Sequence, residues 1–304
     1  TVKERGKITV LVATSGDTGG AVADGFYKVN GIDVVILYPK GKVSDIQERQ
    51  LTTLGENITA LEVDGTFDDC QEMVKSAFID IELIQKIALT SANSINIARW
   101  LAQMFYYFIA YKNRPNPDKK LVISVPSGNF GNLCAGLIAR QMGLPIDHFI
   151  ASTNVNNTVP EYLESGEYAP KKSIQTISNA MDVGDPSNFI RIQKIFNNDF
   201  FKLKKTLSGF SYSDKQTEKA IKEIFDQKGY IADPHGAIGY LGLKAFVESQ
   251  EDPTSYQGIF LETAHPIKFA NSVEKILNTQ IQMPERLKGV LQKEKLSFLI
   301  LTQD

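Results

Sequence analysis

The sequence predicts an α/β fold made of two open, mostly parallel sheets with helices on both faces. Short apolar runs of strand length alternate with longer segments of helical period along the chain, the pattern that strand–helix–strand units leave. At 304 residues the chain is long for one core and suits two domains or one elaborate α/β unit. The alternation is interrupted at Lys112–Lys120, "KNRPNPDKK", where two prolines and five charges separate a strong helical segment from a strand. A boundary there gives a smaller α/β lobe over 1–112 and a larger one over 113–304.

Taken in order, Ile8 to Ala13, Val34 to Tyr38, Ile58 to Val63, Leu121 to Val125, His148 to Ser152 and Gly258 to Leu261 read as strands. Between them Thr18 to Val29, Ser44 to Leu54, Asp68 to Ile84, Ile95 to Tyr111, Gly131 to Met142, Ser213 to Lys228, His235 to Glu248 and Pro266 to Leu277 read as helices. Ser44 with Gln47, and Ser213 with Gln216, form the capping-box pattern in which two otherwise orphan N–H groups are satisfied reciprocally. The weakly patterned tail after Pro284 is expected to be a surface strand or wrapping arm.

Composition removes several function classes. Lys and Arg total 33 against 35 Asp and Glu, net −2, so the basic excess that nucleic-acid binding needs is missing. Runs such as "VVILY" and "LVISV" fall far short of the roughly 18 apolar residues a membrane span requires, so no membrane partner is expected. The two cysteines, Cys70 and Cys134, lie in helix-like contexts and read as buried free thiols of a reducing cytoplasm. His148, His235 and His265 are widely separated without metal-ligand spacing, and no metal is expected. The start, "TVKERGK", has neither an initiator Met nor an apolar signal core, and the chain is expected to begin inside a longer one.

Two glycine-rich turns carry the candidate chemistry. Ser15-Gly16-Asp17-Thr18-Gly19-Gly20 and Pro126-Ser127-Gly128-Asn129-Phe130-Gly131-Asn132 each follow a strand and open a helix. At such a place exposed amides and the helix dipole favour an anion, and a dianionic phosphate is the natural guest; a compact corner is the competing reading. Neither turn has the spacing of a triphosphate or dinucleotide loop. Asp17 would repel a phosphate, so it reads either as a helix N-cap or as a group facing a ligand's hydroxyl or cationic nitrogen while Thr18 faces an anion. In "LTSANSINIAR", Asn93 or Ser94 reads as a helix cap or a ligand group, and Arg99, opposed to the helix dipole, calls for an anionic partner. Thr263, after the strand "GIFL", offers a hydroxyl.

"ATSGDTGGAV", "LYPKGKVSDIQ", "TSANSINIAR", "PSGNFGN", "TNVNNTVP", "SNAMDVGDPSNF", "DPHGAIGY" and "TAHPIKF", in that order, closely resemble the threonine synthase family over nearly the whole chain. The resemblance implies pyridoxal phosphate fold type II, related to the tryptophan synthase β chain. It also implies conversion of O-phospho-L-homoserine and water to L-threonine and phosphate, by a monomer or homodimer. On these residues it implies that Gly128, Asn129, Phe130, Gly131 and Asn132 hold the cofactor phosphate. It puts Thr263 at the pyridine nitrogen, Asp17 near the cofactor's 3-hydroxyl, and Thr18, Asn93, Ser94 and Arg99 around the substrate's phosphate. The family's Schiff-base lysine lies in an F-K-D-F-like motif that these residues lack. It is therefore expected upstream of Thr1, the chain alone is expected to be inactive, and cofactor could be absent from it. Lys3 and Lys7 do not match the motif. A related pyridoxal-phosphate-dependent dehydratase or lyase, or a non-catalytic phospho-metabolite-binding protein, are the alternatives.

Overall fold

The computed structural model describes residues 6–93 and 96–301. It divides into two compact units, Thr1–Asn96 with Gln282–Asp304, and Ile97–Ile281. The first opens with β1 (Ile8–Ala13), the helix Asp17–Phe26, β2 (Ile32–Pro39), the helix Asp45–Thr52, β3 (Ile58–Asp64), the helices Phe67–Ile79 and Ile81–Lys86, and β4 (Ala88–Ser91). The second unit holds the helix Ala98–Lys112, β5 (Lys120–Pro126), the helix Gly131–Gln141, β6 (His148–Thr153), β7 (Leu207–Ser211), the helices Asp214–Lys228 and Pro234–Glu248, and β8 (Tyr256–Phe260). Three short helices, Thr158–Ser165, Phe189–Ile195 and Phe200–Thr206, lie between β6 and β7. The chain then supplies the helix Glu285–Leu291 and β9 (Phe298–Leu301) to the first unit.

Both sheets are parallel throughout the described pairs. The first runs β4-β1-β2-β3-β9 and the second β7-β6-β5-β8. Alternate residues of a strand face opposite ways, and here each face meets its own helices. Val10 and Val12 of β1 join a core with Ala23 and Leu51, whereas Leu11 and Ala13 join another with Cys70 and Val74. In the second unit Leu121, Ile123 and Val125 pack with Tyr107, Leu133 and Phe149, while Val122 and Ile150 meet Phe246 on the other side. Double coverage explains why these strands read as unbroken apolar runs.

All six expected strands are present, and both capping boxes form. The expected helix over Asp68 to Ile84 is broken at Asp80, whose carboxylate accepts the amide of Leu83 at 3.0 Å and starts a new helix. The expected helix from Pro266 opens as a turn of 3-10 helix, Pro266–Phe269, before Ala270–Leu277. The units divide before Ala98–Lys112, not after it, because Trp100, Met104 and Tyr107 of that helix belong to the second unit's core. "KNRPNPDKK" is a surface loop of that unit, tied by the Asn116 amide to Gln257 Oε1 at 2.9 Å. The tail, expected to be a surface strand or wrapping arm, holds the helix Glu285–Leu291 and then β9, which pairs with β3.

Ile123 is fully buried in the second sheet and Phe298 is exposed on β9. Ile123→Ala is expected to cost about 2–5 kcal/mol, and Phe298→Ala to stay within about 0.5 kcal/mol; urea unfolding of the two variants measures the contrast.

Candidate functional site

The turn after β5 is shaped by Phe130, a non-glycine residue in the left-handed region at φ 61° that caps the helix Gly131–Gln141. Such a conformation is costly for a bulky residue. Burial of the ring in the core, edge-on to Phe189 at 6.1 Å, offsets that cost. A left-handed residue leading into a helix points successive amides to one side, and the first-turn amides of Gly131 and Asn132 have no acceptor within the helix. No acidic residue stands in that first turn. The side chains serve as struts. Asn129 Oδ1 accepts from Ser187 N and Oγ at 2.7 and 2.9 Å, and Asn132 Oδ1 accepts from Tyr107 Oη at 2.8 Å. Donors here are thus mainly backbone, which fits a phosphate.

The turn after β1 is built differently. Thr14 Oγ1 accepts from the amides of Gly16 and Gly19 at 3.0 and 2.8 Å, so the chain's own hydroxyl takes two of the turn's donors. Gly19 is fixed by packing, since a Cβ there would stand 2.6 Å from both Leu51 Cδ2 and Thr14 Cγ2. Asp17 is not the N-cap; Gly16 occupies that place without a side-chain bond, and Asp17 is the first helical residue. Its Oδ1 accepts from Gln47 Nε2 at 3.1 Å. Gln47 is wholly buried, and its Oε1 completes the Ser44 capping box, so one amide joins two helix starts.

Asn93 is no helix cap either; Ile97 precedes the helix Ala98–Lys112. Its buried side chain bonds both backbone groups of Ala13, accepting from the amide at 2.9 Å and donating to the carbonyl, and so pins the carboxyl end of β1 beside Thr14. Asp17, Thr18 and Asn93 all belong to the first unit; Ser94 lies outside the described residues. Arg99, the second residue of its helix, belongs to the second unit, where burial pulls its guanidinium below the ordinary value. Gly128 to Asn132 and the exposed Thr263 share that unit.

The three histidines have structural partners. His148 stacks on Phe246 with centroids 4.6 Å apart and is lowered by burial to about 4; His265 caps its turn through Nδ1; His235 pairs with Asp233 at 2.6 Å. Among the described residues no group of three or more His, Cys, Asp or Glu could hold a metal ion, and no helix is long and apolar enough to cross a membrane. Cys70 and Cys134 are buried free thiols, both pushed up to about 12 by burial. Sequence reasoning missed two polar clusters of the second unit. In one, Asp182 accepts from Asn154 Nδ2, Thr176 Oγ1 and Thr176 N at 2.9, 2.7 and 3.0 Å, while burial raises it to about 7. In the other, Glu262 lies beside Asp233, which is bonded to His235. "TNV", "MDV" and "DPHG" carried the signal only as quoted motifs, because nothing local in them announces a partner dozens of residues away.

Comparison with known proteins decides the family. A model described as "Pyridoxal-phosphate dependent enzyme" matches residues 1–255, and one described as "Threonine synthase, C-terminal" matches 236–300. The solved threonine synthase from Escherichia coli superposes with a TM-score of 0.92 at 46% identity, over 97% of this chain and 68% of that one. The chain belongs to the threonine synthase family of pyridoxal-phosphate-dependent enzymes. Haemophilus influenzae threonine synthase is 53% identical over 94% of this chain and 66% of its own length. The solved "PLP bound Threonine synthase" from Brucella melitensis aligns at TM-score 0.84 and 33% identity, over 98% of this chain and 69% of that one. The chain thus spans about two thirds of the length of these relatives. Its two all-parallel sheets are those of pyridoxal phosphate fold type II.

Asn93→Ala would leave the buried amide and carbonyl of Ala13 without their partner. At about 1–3 kcal/mol for each unpaired group, the urea midpoint of the first unit should fall, with the slope unchanged.

Proposed function

We propose that the protein carrying this chain converts O-phospho-L-homoserine and water to L-threonine and phosphate, with pyridoxal 5'-phosphate as cofactor. Family membership at 46–53% identity supports the reaction, and the observation in this chain that carries the proposal is the anion-suited turn at Phe130, free of first-turn acids.

The amides of Gly128 to Asn132 would hold the cofactor phosphate, with the helix Gly131–Gln141 behind them. The Asn129 and Asn132 side chains keep those amides in place through Ser187 and Tyr107. When bound, pyridoxal phosphate supplies an electron sink for bonds at the substrate's carbons. Thr263 would present its hydroxyl to the ring nitrogen, a partner that does not enforce protonation as a carboxylate would. Asp17, steadied by Gln47, is assigned to the 3-hydroxyl. Thr18, Asn93, Ser94 and Arg99 are assigned to the substrate phosphate; Arg99 has the charge for it, and its partial desolvation strengthens any pairing with an anion. The Asn93 amide, already bonded to Ala13, has one N–H left for that task. No lysine of this chain is assigned the Schiff-base role. With its free buried thiols the protein suits a cytoplasmic setting.

The test is release of phosphate and threonine from O-phosphohomoserine with and without added pyridoxal phosphate. Equimolar products that depend on the cofactor, and none from unphosphorylated homoserine, are expected. Arg99→Gln should raise KM by about tenfold or more, as loss of a charge-assisted bond to substrate does. No phosphate release by the folded protein, or equal turnover of homoserine, would contradict the proposal.

A further inference from the structure

Asp233 is fully buried and caps the helix Pro234–Glu248. Its Oδ1 accepts from the His235 amide at 2.9 Å and from His235 Nδ1 at 2.6 Å. The far nitrogen, Nε2, accepts the amide of Ala180 at 3.2 Å. An accepting Nε2 carries no proton, so the ring is the neutral Nδ1–H tautomer and donates to Asp233. Asp233 Oδ2 has no donor, and neither oxygen of Glu262 has one, although all three atoms are buried. The Glu262 side chain interacts directly with that of Asp233. Its carboxyl lies against the first turn of the helix, where a Cβ on Gly236 would stand 2.2 Å from it. Only glycine leaves that space.

Two buried carboxylates side by side repel, and three of their four oxygens lack a donor; one proton between them removes the repulsion and supplies a donor where none stood. We infer that Glu262 is a protonated positioning residue, donating to Asp233 in a buried Glu262–Asp233–His235 relay that holds Thr263 and the turn at Gly128 in register. One end of the relay is the residue next to Thr263. The other is Ala180, whose carbonyl would stand 2.5 Å from a Cβ on Gly128, the first residue of the phosphate turn. The inference rests on the proposed function for what those two positions hold, but not for the proton itself.

Burial, with Asp233 beside it, pushes the Glu262 carboxyl up to about 9. For Asp233 burial opposes ionisation, and the bonds from His235 and Glu262 outweigh it and hold the group below its ordinary value. Around the relay stand Tyr230, whose phenol burial raises with Glu262 and Asp233 nearby, and Asp182, which faces the His235 side. The sign follows from the raised carboxyl. The relay's contribution to stability is complete below the free carboxyl's value, near 4.5, and is lost as pH rises toward about 9.

Two measurements test the inference on the whole protein. Infrared difference spectra at neutral pH between the parent and Glu262→Gln should show a carboxylic acid carbonyl band lost in the variant; a parent with only carboxylate bands overturns the proposal. Pyridoxal phosphate affinity, read by fluorescence titration, should fall in the parent as pH rises through about 9. It should stay flat in Glu262→Gln, whose amide keeps a neutral donor toward Asp233. Glu262→Leu should weaken binding by about tenfold or more, having no donor at all. If that variant does not fold, the Gln variant's profile decides. The same alkaline fall in Glu262→Gln overturns the relay. An acid band together with no cofactor binding by the parent overturns the proposed function instead, leaving the protonated pair standing.

Discussion

Within each described sheet every strand runs parallel to its neighbours, and the rest of the structure follows from that constraint. A parallel sheet needs a crossover after each strand and cover on both faces. Each carboxyl edge therefore becomes a row of turns that lead into helix starts, where backbone amides surface without partners. In each unit the apolar faces belong to packing and the carboxyl edge is left to chemistry. The glycine-rich turns after β1 and β5 stand on such edges, each in its own unit.

Equal positions do not make equal sites. After β1, Thr14 takes two amides and Asp17 puts a negative charge on the helix start, so the turn is tied internally and poorly suited to an anion on its own. After β5, the left-handed Phe130 leads straight into the helix start, and the charges that would repel a phosphate are missing from the first turn. The strain at Phe130 persists because its ring is locked against Phe189 in the core. Polar side chains then serve mostly as fixtures: the buried Gln47 and Asn93 and the half-buried Asn129 and Asn132 each spend hydrogen bonds on backbone or side chains of their own unit.

The fold was legible where a strand is central and apolar, as in "VVILY" and "LVISV". It was not legible at β4 and β7, which have four and five residues and take their identity from a neighbour, and for β9 the sequence suggests a surface strand or wrapping arm without a partner. That partner is β3, more than two hundred residues earlier in the chain, a pairing no local pattern can announce. The domain boundary was misplaced for a similar reason. Prolines and charges mark a surface loop, whereas the allegiance of the preceding helix is set by where Trp100 and Tyr107 are buried. At the site, residue types and turn positions were readable. The partners are not: the sequence leaves Asp17 open between a cap and a ligand-facing group, and the structure gives the cap position to Gly16, while nothing in the sequence near Glu262 shows that it meets Asp233.

The central claim is that the turn at Phe130 holds a phosphate dianion through backbone amides. Phosphorus NMR of pyridoxal phosphate bound to the protein tests it most directly. A free phosphate monoester titrates at about pH 6; the bound phosphorus should keep the dianion's shift through that range, whereas a resonance that moves with pH as the free cofactor's does would contradict the account.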